Sequence, residues 1–158
     1  MVLVFGYATL SEQEYIQALL GVVPPHFGAT LSGYQLCLQE YDCMPEKVQD
    51  VIAHNWKPEE FKSYFARKTS YFGPSDDSIR GVVWDLTESQ KATLDDWEFE
   101  GLWYTADEVK VTDDQGKVHN AFVYAINSGR GTVLEDGFDP YPVDKAKMLR
   151  LARKNAKR

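Results

Sequence analysis

"VFGYATL", residues 4–10, ends a short apolar run in a way that bears on the whole architecture. Residues 2–6 are mostly β-branched or aromatic, and an uninterrupted apolar run suits a strand buried on both faces. Thr9-Leu10-Ser11 then leads into SEQEYIQALLG. In that stretch Tyr15, Ala18 and Leu19 recur at helical spacing. Ser11 is placed to cap the helix with Glu14 as its capping-box partner. Gly21 ends the helix and Pro24-Pro25 prevents its restart. A strand therefore runs almost directly into a helix.

Working outward, ATLSGYQLCLQEY (29–41) alternates apolar and polar residues and reads as one strand, with Leu36 and Leu38 on one face. NWKPEEFKSYFARKT (55–69) predicts a short helix starting near Pro58. GPSDDS (73–78) is a loop and IRGVVWDL (79–86) a strand. TESQKATLDDWEF (87–99) predicts a helix, with Thr87 and Gln90 as a capping box and Gly101 as its C-cap glycine. TADEVKVTDDQGKVHNAFVYAI (105–126) is a hairpin around DDQG, NSGRGT (127–132) a loop, and a helix follows Pro142. No regular strand–helix alternation emerges, which excludes a doubly wound sheet. The expectation is an α+β fold: a small mixed β-barrel or curved sheet flanked by a few helices. Residues 1–142 are expected as one domain and 143–158 as a basic helical tail.

The 158 residues are 44% hydrophobic and 13% aromatic, enough for a real core. No stretch is long and apolar enough to span a bilayer, and residues 1–3 lack the basic start of a signal peptide. A cytoplasmic protein is expected. The net charge is −7, yet the last sixteen residues hold seven Lys or Arg against one Asp, so the remainder carries −13. An acidic body disfavours nucleic-acid binding, which needs a basic face. The basic end reads as a solvated helix end. His26, His54 and His119 are scattered without zinc spacing, so no metal is expected. Cys37 and Cys43 suit free thiols, although their proximity leaves pairing open.

One acidic residue stands out. On a helix over 87–100, Glu98 lies four residues after Leu94, at the edge of the apolar stripe, while Asp95 and Asp96 turn away. Burial and neighbouring acids such as Asp95 and Glu100 raise a carboxyl's pKa, and a carboxyl tuned upward exchanges protons near neutrality. Periodicity alone equally admits an ordinary salt-bridged edge glutamate.

Four stretches in order carry a resemblance. They are Phe5-Gly6-Tyr7-Ala8-Thr9-Leu10, Ala29-Thr30-Leu31-Ser32-Gly33-Tyr34-Gln35-Leu36, Gly81-Val82-Val83-Trp84-Asp85-Leu86 and Leu94-Asp95-Asp96-Trp97-Glu98. Tyr104 then opens a strand, and Ala121 to Tyr124 form a closing one. Over residues 3–125 the chain resembles the γ-glutamylcyclotransferase-like superfamily, including AIG2-like proteins and γ-glutamylamine cyclotransferases. The resemblance implies release of pyroglutamate (5-oxoproline) from a small γ-glutamyl compound or γ-glutamylamine, without a cofactor. It implies Glu98 as the catalytic proton shuttle. It also implies a substrate site at Tyr7, Ala8, Thr9, Leu10, Tyr104 and Tyr124, with the substrate carboxylate held by backbone N–H groups of the 7–10 loop. The oxyanion falls to those N–H groups or to a hydroxyl such as that of Tyr7 or Tyr124. The assembly expected is a monomer or weak homodimer, with no nucleic-acid or membrane partner.

The chain departs from the family pattern in three places. Ala8 stands where glycine is usual, and is strained there if the position needs positive φ. Phe99-Glu100 follow Glu98 where the family has Glu-Gly. A second register puts Glu100-Gly101 in that slot, but the Leu-Asp-x-x-Glu spacing and the face shared with Leu94 favour Glu98. Thr105 replaces the arginine often found after the tyrosine. A non-catalytic small-molecule-binding member of the same fold is the alternative reading.

Overall fold

Successive residues of strand β1, Val2–Gly6, go to opposite sides of the sheet: Val4 joins one buried cluster and Phe5 another. The same split separates Val83 from Trp84 and Val123 from Tyr124. Strands buried on both faces are continuous apolar runs for this reason. The protein is described by a computed structural model over residues 1–71, 73, 75–127, 130–135 and 137–156.

β1 pairs antiparallel with β5 (Ser78–Leu86). β5 pairs with β2 (His26–Ser32), β2 with β6 (Thr105–Asp113), and β6 with β7 (Val118–Ala125). β7 returns to β1 in parallel, Val4 opposite Phe122 and Phe5 opposite Val123, which closes a five-stranded barrel. The α+β barrel expected from sequence is therefore the observed fold. Phe5, Ala29, Leu31, Val83, Val111 and Val123 belong to one cluster, and Val4, Trp84 and Tyr124 pack with the helices in another. β4 (Lys62–Lys68), β3 (Tyr34–Glu40) and the short β8 (Thr132–Val133) extend the sheet beyond β7.

Helix α1 (Gln13–Leu20) buries Tyr15, Ile16, Ala18 and Leu19 in the same cluster as Leu149 and Ala152 of α4 (Lys145–Ala156). Helix α3 (Glu88–Trp97) adds the fully buried Leu94. Its capping box forms as the sequence predicts: Gln90 N donates to Thr87 Oγ1 (3.1 Å) and Thr87 N to Gln90 Oε1 (2.9 Å). Helix α2 (Glu46–Ile52), which the sequence reading passed over, packs Val48 and Ile52 with Met44, Trp56 and Phe61 in a third cluster. Among the described residues no helix is long and apolar enough to cross a membrane. Cys37 is buried and Cys43 exposed, each a free thiol.

Local readings change in four places. Ser11 does not cap α1. A 3₁₀ turn over Ala8–Ser11 intervenes, Ser11 Oγ donates back to the Ala8 carbonyl (2.6 Å), and Glu12 becomes the N-cap. The single strand read at 29–41 is two, because Gly33 takes φ 82° and bends the chain between β2 and β3, which pair with different neighbours. Only Pro58–Glu60 form a helical turn in the 55–69 stretch, and Lys62–Lys68 pair with β3 as β4. The loops read at 73–78 and 127–132 fall partly outside the described residues, and their last residues, Ser78 and Thr132, open β5 and β8.

Two contacts fix the first loop against the barrel. A Cβ on Gly6 would collide with the Leu10 carbonyl and lie 2.9 Å from Trp84 Nε1, so only glycine admits the fold-back. Trp84 Nε1 donates to that carbonyl (2.8 Å). Tyr7 does more. β4 and β7 meet in parallel only at Ala66↔Ala125, where Ile126 N donates to the Ala66 carbonyl (3.0 Å). In a regular parallel ladder the Ala66 N–H would reach the Tyr124 carbonyl. Instead Ala66 N donates to the Tyr7 hydroxyl (2.9 Å), which donates to the Tyr124 carbonyl (2.5 Å). One buried oxygen is inserted into the ladder and holds the two strands apart. Tyr7→Phe leaves a buried N–H and a buried carbonyl unpaired. It is expected to cost about 1–3 kcal/mol of stability, read as a lowered urea midpoint with an unchanged m-value.

Candidate active site

The splay between β4 and β7 borders a cavity of about 630 Å³, within the range of roughly 300–1,000 Å³ that encloses small organic ligands. Its walls bring together every residue that the sequence singled out: Tyr7, Ala8, Thr9, Leu10, Glu98, Tyr104 and Tyr124. Residues between 51 and 64 supply another wall. Helix α4 supplies Met148, Leu151 and Lys154, which the sequence reading missed. Their spacing along one face of an amphipathic helix was the available signal.

Glu98 enters this cavity from the end of α3. Phe99 N donates to the Asp96 carbonyl (3.2 Å) and Glu100 N to the Asp95 carbonyl (2.9 Å). Those two bonds form a Schellman motif with Glu98 as C-cap. Its left-handed position, usually glycine, is held by Phe99 at φ 52°. The helix therefore ends before the predicted Gly101, because the Phe99 ring packs with Trp103 and the third cluster. The Glu98 side chain is half-buried, at the wall of the cavity. Burial alone pushes its pKa from 4.5 up to about 8. The neighbouring acids expected to contribute do not, and among the described residues nothing hydrogen-bonds or pairs with the carboxyl. Glu100, the alternative register, is exposed and outside the cavity lining.

The three tyrosines are committed to the protein. The Tyr7 hydroxyl proton serves Tyr124. Tyr104 Oη donates to the Tyr64 carbonyl (2.6 Å) and lies 2.7 Å from Ser63 Oγ. Tyr124 Oη donates to Asp95 Oδ1 (2.6 Å), and Lys91 Nζ donates to both Asp95 oxygens (2.9 and 3.0 Å). Asp95 thus does not turn away from the site as helical spacing suggested; it anchors Tyr124. Asp96, also expected to turn away, lines the cavity. Burial first, then the charge of Glu98, holds the Tyr104 phenol well above its ordinary pKa. A phenol has one proton to donate, so in this arrangement neither Tyr7 nor Tyr124 supplies a free oxyanion donor.

The 7–10 loop offers another donor set. Ala8 has φ 50°, and it and Phe99 are the non-glycine residues with positive φ among the described residues. A left-handed residue entering a right-handed turn gathers successive N–H groups on one side, the arrangement of an anion-binding nest. Leu10 N donates to the Tyr7 carbonyl (3.0 Å) and closes the turn, and Thr9 Oγ1 donates to the Pro140 carbonyl (2.5 Å).

A family model described as gamma-glutamyl cyclotransferase, AIG2-like, matches residues 4–139. The chain belongs to this family. A solved structure named gamma-glutamyl cyclotransferase superposes with a TM-score of 0.63 at 18% identity, over 99% of this chain and 80% of that one. An uncharacterized Homo sapiens protein gives 0.60 at 20% identity, over 82% and 69%. The glutathione-specific gamma-glutamyl cyclotransferase from yeast gives 0.51 at 12% identity, over 99% and 95%. At these identities the structures share the fold. No curated protein is similar enough in sequence to match.

Within this cyclotransferase fold, the raised Glu98 pKa has a consequence for stability. Below pH 4.5 folded and unfolded chains both hold its proton. Between that value and about 8 the unfolded chain releases the proton and the folded one keeps it, so stability falls as pH rises. Glu98→Gln removes the loss. The variant is expected to match the native protein at pH 4 and to exceed it at pH 8 by on the order of 1–5 kcal/mol, at most about 1.4 kcal/mol per pH unit. Urea denaturation at the two pH values checks it.

Proposed function

We propose that the protein releases 5-oxoproline from a γ-glutamyl compound, with Glu98 carrying the proton. The observation behind this reading is the unpartnered, half-buried Glu98 carboxyl lining the same cavity as the Ala8–Leu10 turn. As carboxylate, Glu98 accepts a proton from the substrate's α-ammonium group and frees the nitrogen lone pair. That nitrogen adds to the γ-carbonyl carbon and closes a five-membered ring. Glu98 returns its proton to the leaving nitrogen as the old C–N bond breaks. The second proton of the ring nitrogen passes to the departing amine, which leaves as ammonium. A group that is base and then acid works best with a pKa near the working pH, and about 8 is near it.

The loop N–H groups of Ala8 and Thr9 hold the substrate's α-carboxylate or meet the developing oxyanion. Tyr7, Tyr104 and Tyr124 act as walls that fold the glutamyl chain toward ring closure. An intramolecular reaction gains much of its rate from such confinement.

The test is a pyroglutamate-release assay over γ-glutamyl amino acids, γ-glutamylamines and glutathione, with Glu98→Gln in parallel. Native release is expected, with a fall of at least about 10²-fold in the variant. The base form of Glu98 accumulates as pH rises, so kcat/KM is expected to climb with a midpoint near pH 8 and to level off above it. Release undiminished in the variant removes Glu98 from the chemistry. No release from any compound by folded native protein favours a binding member of the fold.

A further inference from the structure

The cavity is several times larger than a five-carbon acyl group needs. Beyond the Glu98 end, its lining passes from the main core to the third cluster, with Trp56, Phe61, Phe99, Met148 and Leu151 as an apolar wall. Phe99 keeps its ring there despite a left-handed backbone, which costs a non-glycine residue about 1–2 kcal/mol. Charge in the lining is divided by element. The carboxylates, Asp96 and Glu98, come from the end of α3, whereas the cations, Lys62 and Lys154, come from the start of β4 and the end of α4. Lys147, just outside, pairs with Glu60 (3.3 Å) and sits 4.3 Å from the centre of the Trp56 ring. Among the described residues neither Lys62 nor Lys154 has a carboxylate at ion-pair distance, although Glu40 faces Lys62 across the β3–β4 ladder.

Resting on the cyclotransferase reading, we infer that this far compartment selects γ-glutamyl conjugates of large apolar amino acids. The leaving side chain lies against Trp56, Phe61 and Phe99, and its α-carboxylate is met by Lys62 and Lys154. Carboxylates from one element and ammonium groups from two others suit a substrate with an ammonium group at one end and a carboxylate at the other. A pocket wall of this kind prefers a larger apolar group, and a charge partner discriminates against an analogue that lacks the charge. Lys62 and Lys154 are specificity residues in this account, outside the proton transfers.

The test compares γ-glutamyl-phenylalanine with γ-glutamyl-alanine, which lacks the ring, and with γ-glutamyl-phenethylamine, which lacks the carboxylate. The phenylalanine conjugate is expected to exceed each by about tenfold or more in kcat/KM. The double variant Lys62→Met/Lys154→Met is expected to lower the phenylalanine-to-phenethylamine ratio by about tenfold. A charge-matched double variant at the exposed Arg150 and Arg153, outside the lining, is expected to leave that ratio unchanged. Equal turnover of the three compounds, or a ratio that survives in the lysine variant, overturns the inference while release itself upholds the reaction. If no compound is turned over, the reaction reading fails, and calorimetric binding to native protein decides the compartment. Tighter binding of the phenylalanine conjugate, lost in the lysine variant, supports it; equal or absent binding overturns it.

Discussion

The Ala66 N–H donates to the Tyr7 hydroxyl, and that hydroxyl donates to the Tyr124 carbonyl. This one inserted oxygen decides how the barrel relates to the rest of the sheet. Without it, β4 and β7 have every reason to zip into a regular parallel ladder, since buried N–H and carbonyl groups seek partners. With it, the strands satisfy their polar groups and still diverge after a single residue pair. Tyr104 repeats the device from the other side by tying itself to Tyr64 and Ser63 on β4. The cavity lies along this divergence.

Both protein segments that border the Glu98 side of the cavity use a left-handed residue that is not glycine. Ala8 bends the first loop, and Phe99 ends α3 and exposes Glu98. Backbone strain of this kind persists only where surrounding packing over-determines it. Here the Trp84 indole and Pro140 carbonyl hold the first loop, and Trp103 supports the Phe99 ring. Trp103 is itself oriented by the buried Gln39, whose Oε1 accepts from its Nε1 (2.9 Å). The result is a carboxyl kept from protein hydrogen bonds but enclosed enough to titrate near neutrality.

Much of this was legible beforehand because it is written in local periodicity and in ordered motifs. Continuous apolar strands, the Thr87–Gln90 capping box, the 105–126 hairpin and the placement of Glu98 four residues after Leu94 depend on neighbours within a turn or a pleat. Where the reading failed, a distant contact outweighed local preference. Residues 55–69 carry a proline and acids that suit a helix start, yet Lys62–Lys68 pair with β3 because that strand has an edge to fill. Gly101 is a natural helix terminator, but Phe99 gains more by burying its ring two residues earlier. Asp95 lies off the Glu98 face on a helical wheel, and only the packing of α3 beside β7 brings it to Tyr124.

By itself, the sequence determined the class of fold and the family, because buried alternation and ordered motifs survive without coordinates. Tertiary structure decided which groups of the site remain chemically free. Hydrogen-bond capacity is finite, and a tyrosine spent on a strand ladder or an aspartate has nothing left to donate to a substrate. That accounting depends on residues far apart in the chain, Tyr7 with Ala66 and Tyr124, Asp95 with Tyr124, Thr9 with Pro140. The fold leaves Glu98 and the first loop lining a cavity to which α2 and α4 also contribute.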